Sequence, residues 1–288
     1  MSTKNKIWLG VGAAVFAGTT PLGAAPINDA QVQARPADVK SQSSMPAIVV
    51  AQHRGHGGEG GEGEGGEGGA GAGLPPELGF AFGIAQMRGH LFIAEELLKV
   101  GNRGAALTHF QHPQQEVYGR LRGQFKQFGV APFEAALKLL VTTVRDRKDA
   151  ESYASARKAV DDALAAAEEA VKPKQTSAAV FTLEAALELI KLSAHEYDEA
   201  VKKGRIVNPV EYQDGRGFAW TAERMIEGVA AELEKKDAAA LAKLRAGLAE
   251  LKKAWPSAIP PKTPVKDYSA VLGDVARIEL ASGPLLKN

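Results

Sequence analysis

The strongest constraint on this chain is a stripe of apolar residues running through its second half. Val180, Leu183, Leu187, Ile190, Ala194, Tyr197 and Val201 recur at alternating three- and four-residue steps. That period keeps every one of them on one side of an α-helix and leaves no two-residue alternation for a strand. It is also the seam by which antiparallel helices pack. Other stripes follow the same rule. Phe82, Gln86, His90, Ile93 and Leu97 form one, and Phe218, Ala222, Met225, Val229 and Leu233 form another. Leu241, Leu244, Leu248, Leu251 and Trp255 make a further seam, and Val271, Val275 and Ile278 mark a last helix. No convincing strand pattern or hairpin turn interrupts them. With 45% apolar residues and only 6% aromatics, the composition is that of an alanine-rich helical protein. The expected fold is all-α, an antiparallel helical bundle or stacked helical hairpins spanning residues 75–288.

The stretch before Pro75 reads differently. Lys4 and Lys6 precede an apolar run from Ile7 to Gly18, and Pro21-Leu22-Gly23-Ala24-Ala25 supplies small residues of the kind found at a cleavage site. The run is shorter than the roughly 20 residues of a transmembrane helix. Residues 1–24 are therefore expected to be a signal peptide, with an uncleaved membrane anchor as the alternative. No later segment is long and apolar enough to span a bilayer, so an exported, soluble protein is expected, periplasmic or equivalent. Residues 25–74 are expected to be a disordered leader with a Gly/Glu-rich linker, because dense glycine with nothing apolar to bury does not offset the entropy of ordering. His53, His56, Glu59, Glu62, Glu64 and Glu67 lie in that tract, which reads as a soluble linker or a loose metal collector.

The chemistry is concentrated in two short stretches. Between Gly89 and Tyr118 stand His90, His109 and His112, with Glu116 four residues beyond His112. Steps of three and four put side chains on one helix face, so two imidazoles and a carboxylate can converge. Pro113 complicates the register, and the competing reading has His112 capping a new helix. His90 taken alone reads as a core histidine. In the second stretch, Glu211 and Asp214 extend the stripe that continues at Phe218, so each buried carboxylate needs a cation, a metal or donors. Asn208, Pro209 and Glu211 also fit a capping box, and Arg205 or Arg216 could pair with Asp214. Glu184, Glu188, His195 and Glu199 flank the seam and read as solvated charges, with Lys191 as a partner. The chain has no cysteine, which leaves His, Asp, Glu, Tyr or backbone oxygen as ligands and favours iron, manganese, zinc or copper(II). A formal net charge of +1 gives no reason to expect nucleic acid as a partner. Phosphate-loop, nucleophile-elbow and His-Glu-x-x-His patterns are not found.

The phrases MRGHLFIAEELLKVG, ALTHFQHPQQEVY and HEYDEAVKKGRIVNPVEYQDGRGF resemble the exported helical domains that accompany bacterial iron-permease proteins. More remotely, the chain is similar to imelysin-like periplasmic bundles, although it has no clear Gly-x-His-x-x-Glu motif. The resemblance implies a periplasmic helical protein of metal uptake, with His90, His109, His112, Glu116, Glu211 and Asp214 as candidates by position. The first functional expectation is a non-enzymatic protein that binds a transition metal, iron favoured, and acts beside a membrane metal-transport protein. The alternative is an interaction scaffold without metal, since GNRGAALTHFQHP is similar to part of a tetratricopeptide hairpin, without its sustained period. A metal-dependent oxidase is a third reading.

Overall fold

Pro75 and Pro76 set the first helix, because proline at the first helical position costs no hydrogen bond. The computed structural model describes residues 71–171 and 177–287. Expectations for the signal peptide, and for the leader and linker up to residue 70, lie outside the described residues. Helix α1 (Pro76–Lys99) is apolar almost all round and buried over most of its length. It is the central rod, packed against α2 (Arg103–His112), α6 (Ala178–Ala200) and α7 (Pro209–Gly228). It ends in a Schellman turn, where Gly101 adopts φ +80° and Asn102 N–H donates to Leu97 O. Asn102 then caps α2, its side chain accepting from Ala105 N–H.

Pro113 does not break the chain into a new helix. Residues Pro113–Tyr118 form a π-helical turn between α2 and α3 (Gly119–Phe128), with right-handed helical backbone at both joins. A widened turn accommodates a residue that cannot donate to the ladder. His112 thus lies within a continuous rod and makes no capping bond. Helices α4 (Glu134–Arg145) and α5 (Ala150–Ala170) pack together, and α5 reaches α1.

The rest is a bundle of α6, α7, α8 (Ala230–Lys252) and α9 (Tyr268–Leu286). The whole seam from Val180 to Val201 is buried. Two boundaries differ from expectation. The seam helix stops at Ala200, and Val201–Lys202 pairs antiparallel with Arg205–Ile206 (β1 and β2) around Lys203 and Gly204, whose φ values are 53° and 69°. Positive φ at both central residues is the signature of a type I′ turn. Further on, α7 ends at Gly228, and the backbone of Asp237 leaves the helical region inside α8, where its side chain accepts from Ala240 N–H. In α7, Ile226 is fully buried, and Met225 packs against the same cluster while only partly buried.

Two apolar clusters result. One joins α6 to α9 with Phe82 and Ala85 of α1; the other gathers α1 to α5. α1 serves both, and the polar residues of interest sit where it crosses α7.

Candidate metal centre

Glycine decides how closely α1 and α7 approach. A β-carbon on Gly217 would lie 2.5 Å from Gly89 O, and one on Gly89 would lie 2.4 Å from Phe218 Cδ1. Gly215, next to Asp214 in the chain, lets Trp255 and Ser193 O come against α7, 2.8 and 2.9 Å from where its β-carbon would be. Each glycine costs a helix about 1 kcal/mol relative to alanine, and the contact of two backbones is what that cost permits. The residue beside each glycine is thereby brought into reach of the other helix. His90 follows Gly89, and Asp214 lies one turn before Gly217.

Asp214 is 1% exposed and stands at the centre of three imidazoles. His90 Nδ1 is 2.7 Å from its Oδ1. His109 Nδ1 lies 2.9 Å from the same oxygen. His112 Nδ1 is 3.3 Å from Oδ2. One ligand atom from each of the four residues lies within 4.8 Å of the others, and all four side chains are buried. The two arms of the histidine stretch and the Asn208 helix start, distant in sequence, do meet at one polar point.

The protons can be placed on two of the rings. Gln213 Nε2 donates to Ala258 O at 3.2 Å, which turns its oxygen toward His109 Nε2, 2.8 Å away. An amide oxygen only accepts, so His109 Nε2 carries a proton. His109 Nδ1 then faces a carboxylate oxygen, and a positive species, proton or metal ion, must lie between them. His90 Nδ1 meets the same requirement. Burial works against ionisation of Asp214, but charged His109 and His90 beside it hold its carboxyl well below the usual carboxylate range.

His112 is different. Its side chain is 2% exposed, yet neither ring nitrogen has a hydrogen-bond partner among the described residues. At 3.3 Å its Nδ1 is near Asp214 Oδ2 but out of line for a hydrogen bond. An unsatisfied buried donor or acceptor costs about 1–3 kcal/mol. The 2.7 and 2.9 Å contacts of His90 and His109 are hydrogen-bond distances, whereas His112 Nδ1, 3.3 Å from Oδ2, is spaced as neighbouring ligands on one ion with bonds near 2.1 Å would be. Three neutral imidazoles and one carboxylate suit iron, manganese, zinc or copper(II). The residues fit a metal ion.

The other candidates fall in different places. Glu116 lies beside the cluster, its carboxylate 3.6 Å from His90 Nε2 and 3.5 Å from His112 Nε2. Glu211 stands at the start of α7, where Asn208 Nδ2 donates to its Oε1 at 3.4 Å and Asn208 Oδ1 accepts from Val210 N–H. It is not in the four-residue group, and the expected capping box is replaced by a simple Asn208 cap, since Glu211 meets the Asn208 side-chain amide and the Asn208 backbone N–H donates to Ala200 O. Arg216 is not the partner of Asp214. It pairs with Glu96 at 2.7 Å, donates to Trp255 O and stacks on Trp220. Glu188 pairs with Lys191, and His195 is half exposed, so these seam-flanking charges are ordinary surface residues.

The helices carrying these side chains divide at the bundle. Residues 172–287 match the family model of the iron permease-associated 4-helix bundle domain. No curated protein and no solved structure matches the chain. Of the three phrases that suggested this family, the one from His195 to Phe218 lies inside the matched region. The phrases holding His90, His109 and His112 lie before it. The matched region thus contributes Asp214 and Gln213, and the preceding helices contribute the imidazoles. No helix among the described residues is long and apolar enough to cross a membrane.

Gln213 was not singled out from the sequence. The signal available for it was weak, a single polar residue one position before a buried carboxylate. The glycine spacing was a better clue. Gly89 before His90, and Gly215 and Gly217 after Asp214, each put glycine inside a helix where only a close approach explains it.

Proposed function

We propose that this protein binds a transition-metal ion, iron favoured, between His90, His109, His112 and Asp214, and serves metal uptake or delivery beside a membrane metal-transport protein. The reading is carried by His112, a buried imidazole with both ring nitrogens unpartnered against a carboxylate that already holds two histidines. Gln213 supports it by fixing the proton on His109 Nε2, which leaves Nδ1 for an ion, the usual way an outer residue orients a histidine ligand. Preference for iron rests on the family matched by residues 172–287 and on a ligand set without thiols. The role in this reading is non-catalytic, in keeping with the family matched by residues 172–287. The basic and apolar start of the chain, residues 1–24, supports export to the periplasm or its equivalent.

Metal content tests the site. Protein purified from its native compartment should hold about one ion per chain, the capacity of a single four-ligand site, and should lose it in both His112→Ala and Asp214→Asn. The double variant should lose no more than either single one, because the two residues act on one ion. Wild-type protein without tightly held metal would favour the scaffold reading. Oxygen consumption with a reductant would favour an oxidase.

A further inference from the structure

Away from the imidazoles, α1, α5, α6 and α7 leave a cleft between them, and small side chains at helical spacing explain it. Ala81 and Ala85 of α1 stand one turn apart, and Ala178 and Ala185 of α6 two turns apart, so each pair shares a helix face. All four line the cleft, whose volume of about 490 Å³ falls in the range of about 300–1,000 Å³ for small-molecule sites. Phe181 and Met225 add to its apolar wall, and a methionine adapts to irregular shapes. The cleft is set apart from the metal centre. Ala85 lies five residues before His90, and Arg224 ten residues after Asp214, about 8 and 15 Å along their helices.

Three charged side chains border this apolar surface. Glu168, on the α5 wall, is already held in a two-point pair with Arg88. Glu169 follows it in the chain. Arg224, on the α7 wall, is held differently. Its guanidinium lies 4.3 Å from the ring centre of Phe92, and among the described residues no carboxylate pairs with it. The stack covers one face of the guanidinium plane. The N–H donors lie along its edge, which is where a planar anion binds.

We infer that this cleft binds a small monocarboxylate, its apolar body on the alanine floor and its carboxylate in a two-point pair with Arg224. The anion follows from charge. A guanidinium takes carboxylate or phosphate with the same forked geometry. Arg224 balances one negative charge, and the carboxylates of Glu168 and Glu169 on the same cleft penalise a second. The apolar body follows from the lining, where each buried CH₂ group is favourable. The inference is independent of an ion at Asp214.

Calorimetric titration of the full chain with octanoate, 1-octanol and octyl phosphate tests it, since the three share a tail and differ in charge. Octanoate should bind at a single site, and 1-octanol about tenfold more weakly, the scale of one charge-assisted pair. Octyl phosphate, close to doubly charged at neutral pH, should also bind more weakly than octanoate. Equal affinity for octanoate and 1-octanol would overturn the pairing with Arg224. A preference for octyl phosphate would overturn the carboxylate, and no binding of any of the three would remove the site. These comparisons use wild-type protein and so stand even where a variant fails to fold, which circular dichroism shows. Arg224→Gln should bring octanoate down to the affinity of 1-octanol. Ala178→Phe, which fills the cleft from an exposed position, should abolish binding of both. Octanoate bound unchanged by either variant would place it elsewhere. Asp214→Asn should bind octanoate as wild-type protein does, whatever its metal content; a loss there would put the carboxylate at the imidazole cluster and overturn the cleft.

Discussion

At the scale of single residues, the site depends on groups whose only outlets are one another. Asp214 has no arginine or lysine partner among the described residues, and its charge is held by His90 and His109. Gln213 decides which nitrogen of His109 is available. Replacing it with alanine removes that control without touching an ion, and such outer-residue changes weaken metal affinity by about 10–100-fold. Titration of Gln213→Ala with Co(II) should show that loss, while its thermal unfolding stays cooperative. An affinity equal to wild type would mean that His109 takes no part in binding. Histidine and carboxylate identity were legible along the chain, and so was the need of Asp214 for a counter-charge. Which cation answered it was not, because Arg216 is two residues away in sequence but is turned toward Glu96.

At the scale of helices, glycine sets the spacing that brings those residues together. Gly217→Ala would drive a β-carbon into Gly89 O, 2.5 Å away. Overpacking of this kind costs about 1–3 kcal/mol, and the displaced α1 would carry His90 away from Asp214. Stability and metal binding should therefore fall together. Gly123, on the exposed side of α3, has nothing within 4 Å of its would-be β-carbon. Gly123→Ala should raise stability by up to about 1 kcal/mol, the propensity difference alone, with metal binding unchanged. Denaturant unfolding of the two variants makes the comparison, and equal effects would show that the α1–α7 crossing does not depend on glycine. The π-helical turn is the other device at this scale. It carries the chain past Pro113 without a break, so His109, His112 and Glu116 stay on one rod.

At the scale of the whole molecule, the site joins two apolar clusters through α1, and it draws on the matched bundle and on the helices before it. An ion that binds only this assembled arrangement stabilises it by mass action, by about 2.7 kcal/mol at a free concentration 100 times Kd. Thermal unfolding with Co(II) should show the rise in wild-type protein and none in Asp214→Asn; an equal rise in both would place the ion elsewhere. The periodic stripes were sufficient to determine an all-α chain, the buried seam from Val180 to Val201 and the polar residues lying on or near the buried faces, because a 3.6-residue period is a local property. Local pattern also misled in places. The Lys203-Gly204 turn and the break at Asp237 depend on backbone angles that helix-compatible residues do not announce. The convergence of His90, His109 and His112 on Asp214 was decided by tertiary structure alone. Their separation along the chain exceeds 100 residues, and only the close crossing of two glycine-bearing helices closes that distance.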